Sequence, residues 1–222
     1  MRDTIVQSRC GVTLVGAGDF DAHLLQQALA RAPRLVAADG GADRALAAGH
    51  MPERVIGDLD SLSPVGRARL GPDRIVHVAE QETTDFDKAL RAIAAPFVLA
   101  VGFTGARLDH TLGVFNALAR HPDRRCLVLG AADVCFLAPA TLRLQLPPGT
   151  RLSLFPLGAV TGSSSGLHWP IDGIGFAPDG MTGTSNRVSM PEVRLTFEAP
   201  RMLVILPGAA LDAALKALTE AG

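Results

Sequence analysis

Residues 55–62, VIGDLDSL, put two carboxylates, Asp58 and Asp60, directly behind a short apolar run. Aspartate is a poor strand residue, and burying it unpaired costs free energy. Such a pair marks the place where a buried strand stops and a polar site starts. The same punctuation recurs on either side. RLVAADGG reads as a strand that runs into Asp39, and VTLVGAG as an earlier strand that runs into glycines. Downstream come DRIVHVAE and FVLAVGF, the second almost free of polar residues. Stretches of helical period separate these runs: DFDAHLLQQALARA, with Leu24, Leu25, Ala28 and Leu29 on one face, then ADRALAAG, TTDFDKALRAIAA and RLDHTLGVFNALARH. RCLVLG and ADVCFLAP close the series. Strands buried on both faces and alternating with helices predict an α/β domain over residues 1–138, a mostly parallel sheet with flanking helices.

Beyond residue 138 the texture changes. Leu142, Leu144 and Leu146 alternate with Arg143 and Gln145, and Val193, Leu195 and Phe197 alternate with Arg194 and Thr196. That is the two-residue period of a sheet with one solvated face. Gly, Pro and Ser punctuate the region densely, so residues 139–222 read as an all-β, sandwich-like domain. The last stretch, GAALDAALKALTEAG, has helical period.

The chain of 222 residues is 48% hydrophobic and 19% charged, enough apolar material for a buried core and not the balance of a disordered chain. Its formal net charge of −1 supplies no basic field for nucleic acid. Tyrosine is absent and Trp169 is the single tryptophan, so stacking platforms are scarce. Cys10, Cys126 and Cys135 are too scattered for a disulfide framework or a thiolate zinc site, and the apolar neighbours of Cys126 and Cys135 predict buried thiols. No apolar stretch reaches 18 residues, and the first residues lack the apolar centre of a signal peptide, so the expectation is a cytoplasmic protein without a membrane partner.

Ligands of open α/β sheets bind beyond the carboxyl ends of the strands. Asp39, Asp58, Asp60, Asp85 and Asp109 all fall at or shortly after such ends. Carboxylates converging on one crevice repel each other unless a cation neutralises them. Hard oxygen ligands suit Mg²⁺, which keeps waters and also takes phosphate oxygens. An extended segment would project Asp58 and Asp60 to the same side, toward one metal. Other acidic and polar residues have simpler assignments. Thr84 and Asp87 stand at capping-box spacing, which gives Asp87 to a helix start rather than to a metal. His110 reads as a helix-start histidine bonded to a neighbour. In GAGDFD the residue at the third glycine position of a dinucleotide fingerprint is Asp21, so that motif fails.

Taken in order, ADGGA, VIGDLDSL, QETTDFDKAL, GFTGARLDHTLGVFNAL, GLHWPI and GTSN resemble the thiamine pyrophosphokinase family over roughly residues 37–187. The resemblance implies an α/β catalytic domain, a β-sandwich, and a homodimer with the thiamine site at the subunit interface. It also implies the reaction of ATP with thiamine to give thiamine diphosphate and AMP, with Mg²⁺ required. By motif, Asp58, Asp60 and Asp85 would hold Mg²⁺ on the triphosphate. Asp109 would complete the acidic cluster, as a ligand or near the thiamine hydroxyl. Asp39 would belong to the nucleotide site, and Lys88 and Arg107 would contact phosphate. Gln81, Ser185 and Asn186 would contact thiamine, and Trp169 would contribute to the interface. The apolar setting of LHWPI argues instead for Trp169 in the sandwich core, and Lys88 also reads as a solvated helix residue. Glu82 stands where the family often has Asp, and the C-terminal helical stretch has no family counterpart. Two rival functions are another Mg²⁺-nucleotide transferase with an Asp-x-Asp pair and a non-catalytic nucleotide- or thiamine-sensing module. The first leaves TTDFDKAL and the β-rich half unaccounted for. The second would be expected to have lost its acidic ligands.

Overall fold

In the computed structural model, which describes residues 4–105 and 107–220, each apolar run becomes a strand and most helical-period stretches become helices. The chain forms two compact units, residues 1–117 with 128–131, and residues 118–127 with 132–222.

The first unit opens with β1 (Val6–Gln7) and the fully buried β2 (Val12–Val15). Helix α1 (Ala22–Arg31) comes after it, capped by Asp21, whose side chain accepts from the Leu24 N–H at 2.7 Å. The residue that spoils the dinucleotide fingerprint is thus a helix N-cap, a position that favours Asp. Then come β3 (Arg34–Ala38), α2 (Gly41–Ala47) and β4 (Arg54–Gly57). Helix α3 (Pro64–Leu70), with Ser63 as N-cap and Pro64 in its first turn, is not foreseen from the periodicity. A short β5 (Ile75–His77), half-exposed in keeping with an edge position, leads to α4 (Asp85–Ala92). The expected continuation of α4 through Ile93 is instead β6 (Ile93–Ala94), which pairs in parallel with β1. β7 (Val98–Val101), α5 (Leu108–Arg120) and β8 (Cys126–Leu129) complete the series, the last two having residues in both units. β2 pairs in parallel with β7, and β3, β4 and β5 form a parallel set. β3 lies beside β2, so the carboxyl ends of β7, β2, β3 and β4 share one edge of the unit.

The second unit is antiparallel. β9 (Asp133–Leu137), β10 (Thr141–Gln145), β11 (Arg151–Pro156), β12 (Val160–Ser165), β13 (Gly175–Phe176), β14 (Gly183–Arg187), β15 (Glu192–Phe197) and β16 (Met202–Pro207) supply its strands. β10, β15, β12 and β13 form one antiparallel set, with Leu142 opposite Leu195 and Leu144 opposite Val193. β9, β16, β11 and β14 form another. The alternation seen in sequence is the observed burial: in β10 the leucines are inside and Thr141, Arg143 and Gln145 outside. β9 belongs here although its apolar run resembles the parallel strands before it. Helix α6 (Leu211–Glu220) buries Leu211, Ala214, Ala217 and Leu218 and lies against β10 and β16. Fully burying a leucine side chain contributes ~1.5–3 kcal/mol, which gives the C-terminal stretch a structural role.

Candidate functional site

Gly57 and two left-handed residues shape the acidic edge of the first unit. β3 stops at Ala38, and the next residue, Asp39, adopts φ 42° and is 4% exposed. The chain then passes through Gly40 into α2 so close to β2 that a Cβ on Gly41 would sit 2.1 Å from the Val15 carbonyl oxygen. β4 stops at Gly57, and beyond it the chain does not form the extended Asp-x-Asp segment expected from sequence. Leu59 adopts φ 67° and turns its side chain into a core cluster with Ala37, Ala42, Val55 and Leu62. A left-handed, non-glycine residue is costly by ~1 kcal/mol or more, and burying the Leu59 side chain offsets that cost. Asp58 and Asp60 still reach a common point, through a turn rather than through strand alternation. Carboxylate oxygens of Asp39, Asp58 and Asp60 all lie within 4.8 Å of one another. Gly57 permits this convergence, because a Cβ there would stand 3.0 Å from both the Asp39 Cβ and Asp85 Oδ1.

Each carboxylate is tied to the chain, Asp58 through both oxygens, since its Oδ1 accepts from the Asp60 N–H at 3.5 Å. Asp39 Oδ2 accepts from the Ser61 N–H at 3.1 Å, while its buried Oδ1 has no hydrogen-bond partner among the described residues. Asp58 Oδ2 accepts from Lys88 Nζ at 3.2 Å and from Gln81 Nε2 at 3.1 Å. Asp60 Oδ1 accepts from the Ser61 hydroxyl at 2.9 Å, and Asp85 Oδ1 accepts from Lys88 Nζ at 3.2 Å. Burial pushes the Asp39 carboxyl up to about 6, against the Ser61 N–H, and the neighbouring Asp85 and Asp60 add to the rise. Burial also works against the charged form of Asp58, but the Lys88 ammonium and Gln81 amide outweigh it and hold that carboxyl below its ordinary value. Lys88 is 2% exposed, and its ion pairs with Asp58 and Asp85 outweigh desolvation and raise its pKa. The side chain is therefore neither a solvated helix residue nor an open phosphate contact. It is a buried counter-charge between two carboxylates. An unpartnered buried oxygen beside two further carboxylates is a donor set that fits Mg²⁺, which takes one or two protein carboxylates plus phosphate and water.

Asp39 and Asp85 also line a cavity of about 540 Å³ that runs between the loops after β2, β3 and β7. Gly16 and Gly18 form part of its wall, and a Cβ on either would strike the Gly102 carbonyl oxygen at 2.5 and 2.7 Å. Thr84, whose hydroxyl accepts from the Asp87 N–H at 3.3 Å, caps α4 and so fixes Asp85 in its first turn. Arg107 and His110 also line the cavity. Asp109 is not brought to the cluster of Asp39, Asp58 and Asp60. It is two-thirds exposed and pairs with Arg107 at 2.7 Å, which holds its carboxyl low.

Ser185, Asn186 and Trp169 stand together in the second unit. Trp169 is 55% exposed, so it is not sandwich core. Its ring meets His168 edge-on at 4.4 Å and lies 5.8 Å from the Arg187 guanidinium carbon. Asn186 is buried, and its amide is spent within the chain. Nδ2 donates to the Trp169 carbonyl at 2.7 Å, and Oδ1 accepts from the N–H groups of Arg187 at 2.7 Å and Trp169 at 3.3 Å. Ser185 is exposed with φ 62°, where the β11–β14 register shifts between Leu152 and Leu154.

Sequence reasoning missed Ser61, Ser63, Asp43 and Gly57 as residues that shape the acidic edge. The Ser63–Pro64 pair was the available signal, since it marks a helix start right after the aspartates.

An α/β unit with carboxylates at its strand ends, together with an antiparallel β unit, defines a two-part enzyme fold that solved structures share. Thiamin pyrophosphokinase from Geobacillus thermodenitrificans superposes with a TM-score of 0.72 at 24% identity, covering 89% of this chain and 96% of that one. The Candida albicans enzyme gives 0.74 at 16%, covering 91% of each. The model of the thiamin pyrophosphokinase catalytic domain matches residues 25–129. Thiamine pyrophosphokinase 3 of Oryza sativa subsp. japonica is 29% identical over 82% of this chain and 84% of its own length. Thiamine pyrophosphokinase 1 of the same organism is 28% identical over 76% and 77%. Family model, relatives and solved structures thus all indicate the thiamin pyrophosphokinase family, and with it an enzyme.

Proposed function

We propose that this enzyme transfers the diphosphoryl group of ATP to the hydroxyl of thiamine, giving thiamine diphosphate and AMP, as a Mg²⁺-dependent cytoplasmic homodimer with thiamine bound at the subunit interface. The observation that carries the chemistry is the convergence of Asp39, Asp58 and Asp60, of which Asp39, together with Asp85, lines a nucleotide-sized cavity. The choice of thiamine, and of a diphosphoryl rather than a phosphoryl group, rests on the family.

In this reading Asp39, Asp58 and Asp60 hold Mg²⁺, with Asp85 beside them on the cavity wall. Mg²⁺ so bound supplies charge neutralisation and polarises the phosphoryl group under attack. Lys88 and Gln81 keep Asp58 aimed, and Lys88 does the same for Asp85. Arg107, which lines the cavity and pairs with Asp109, would offer its guanidinium to phosphate oxygens. The thiamine oxygen forms a bond to the β-phosphorus while the bond from that phosphorus to the α,β-bridging oxygen breaks, and the bridging oxygen leaves with AMP. The hydroxyl proton passes to solvent as the bond to phosphorus forms. The protein contributes mainly positioning and charge, as is general for phosphoryl transfer. In the second unit, the Asn186 amide holds the backbone of Trp169, so that the exposed indole and Ser185 offer an apolar face and a hydroxyl to thiamine.

ATP labelled at the β-phosphorus tests the reading. With thiamine and Mg²⁺, the label is expected in thiamine diphosphate and absent from AMP. Thiamine monophosphate and ADP as products would make the enzyme an ordinary γ-phosphoryl kinase.

A further inference from the structure

The loop that carries Asp58 and Asp60 is gripped at its far end by a residue outside the carboxylate cluster. Asp43, in the first turn of α2, accepts from the Ser63 N–H at 2.8 Å through Oδ2 and from the Ser63 hydroxyl at 2.6 Å through Oδ1. The Ser63 hydroxyl in turn accepts from the Gly66 N–H at 2.9 Å and caps α3. Gly66 has no room for a side chain, since a Cβ there would lie 2.1 Å from Asp43 Oδ1. The same loop is tied twice more: Ser61 N–H donates to Asp39, and Arg67 donates to the Leu59 carbonyl at 3.3 Å. Asp39 and Asp43 flank the start of α2, and the Asp39 carbonyl accepts from Ala42 N–H at 3.0 Å within that turn. One rigid turn therefore holds both a candidate metal ligand and the grip on the loop that bears the other two.

We infer that Asp43 is a positioning residue for the divalent-cation site: through Ser63 it fixes the spacing between Asp39 on the α2 turn and Asp58 and Asp60 on the loop. This rests on the proposed role of those three carboxylates. The geometry assigns Asp43 to hydrogen bonding and not to charge. Both its oxygens accept from Ser63, and it stands outside the group formed by Asp39, Asp58 and Asp60. An amide of the same shape can hold Ser63 as well, accepting from the N–H through its oxygen and donating to the hydroxyl through its nitrogen. Ser63 Oγ can take that bond because a hydroxyl has two lone pairs, of which the Gly66 N–H uses one.

The test is Mn²⁺ affinity of the full-length chain, read by electron paramagnetic resonance with the metal alone and with ATP, thiamine being left out. Asp43→Ala and Ser63→Ala are expected to weaken Mn²⁺ about tenfold, the scale on which outer partners of metal ligands act. Asp43→Asn and Ser63→Thr, which keep the hydrogen bonds, are expected to stay within about twofold by the same comparison. Circular dichroism melts identify variants that bind poorly because they are unfolded. Should Asp43→Ala fail to fold, the Ser63→Ala and Ser63→Thr pair decides. Folded alanine variants with parental Mn²⁺ affinity would overturn the inference. Equal weakening by Asp43→Asn and Asp43→Ala would overturn it too, by making charge the cause. Mn²⁺ binding that fails already in the parent removes the metal site and this inference with it. Wrong products in the labelling experiment, with the Mn²⁺ pattern intact, would sink only the proposed reaction.

Discussion

The acidic edge of the first unit and the Ser185–Asn186 segment of the second use polar side chains in opposite ways. Asp39, Asp58, Asp60 and Asp85 each have an oxygen tied to the chain, and Asp39 Oδ1 is left without a partner among the described residues, in a buried position. Asn186 has both ends of its amide bonded to backbone. A buried polar atom left unpaired costs ~1–3 kcal/mol, so the first arrangement stores a cost that a ligand can remove, and the second stores none. The first region is built to bind through its polar atoms. The second is built to hold a surface, the half-exposed Trp169, in place.

The largest expected effect breaks the first region alone. Asp58→Asn removes one of the two carboxylate charges that pair with Lys88, and a candidate metal ligand, and should lower turnover by on the order of 10²-fold or more. Its melt should stay cooperative and thiamine binding should persist, as measured by calorimetry without ATP. A loss confined to thiamine binding would reverse the assignment of roles. Gly57→Ala comes next. The added methyl group meets Asp39 and Asp85 at 3.0 Å, so the carboxylates must move by a few tenths of an ångström. Roughly tenfold weaker Mg²⁺ dependence of turnover is expected, since small misplacements at a reacting centre are expensive. Unchanged Mg²⁺ dependence would show that the cluster is softer than its geometry suggests.

Asn186→Ala tests the second region. It leaves the Trp169 carbonyl and two N–H groups without the partner they have, at a cost of ~1–3 kcal/mol in stability. Apparent thiamine affinity should fall several-fold through displacement of Trp169, with nucleotide affinity unaltered. Equal losses for both substrates would end the contrast between the regions. Thr84→Ala should cost ~1 kcal/mol through loss of the α4 cap, and a chemical-denaturation midpoint reads it directly.

The contrast also tracks what the sequence could reveal. An apolar run that stops at an aspartate was legible twice, at Asp39 and at Asp58, because burial and charge are both written in residue type. Lys88 was not legible: only the packing of α4 against the sheet shows that its ammonium is buried between Asp58 and Asp85. The turn at Leu59 was hidden because leucine rarely adopts positive φ, and the buried position that offsets the strain is a tertiary fact. Asp133–Leu137 read like the parallel strands before it, since five residues of mostly apolar type carry no sign of strand direction. Trp169 read as core from its apolar neighbours, but the loop that Asn186 holds turns the indole outward. Periodicity sees which side of a strand is buried. It does not see which loop backbone a buried amide will hold.

The smallest expected effect sharpens the comparison with a chemical probe. Cys126 and Cys135 lie in the second unit and are buried, whereas Cys10 in the first is exposed. The thiolate is the form that alkylates. Burial pushes the Cys126 thiol far up, and raises Cys135 to about 12, with Asp133 adding to the rise. At pH 8 iodoacetamide should therefore modify Cys10 alone in the native protein, as peptide mass mapping can show. Labelling of Cys135 then reports opening of its sheet, in which Asn186 on β14 is linked to β9 through β11 and β16. Asn186→Ala should quicken the slow labelling of Cys135, because local opening tracks local stability. Asp58→Asn should leave it at the parental rate, since its loss falls on binding. Faster Cys135 labelling in Asp58→Asn would mean that the acidic edge supports the stability of the antiparallel unit, and the two regions would have to be treated as one.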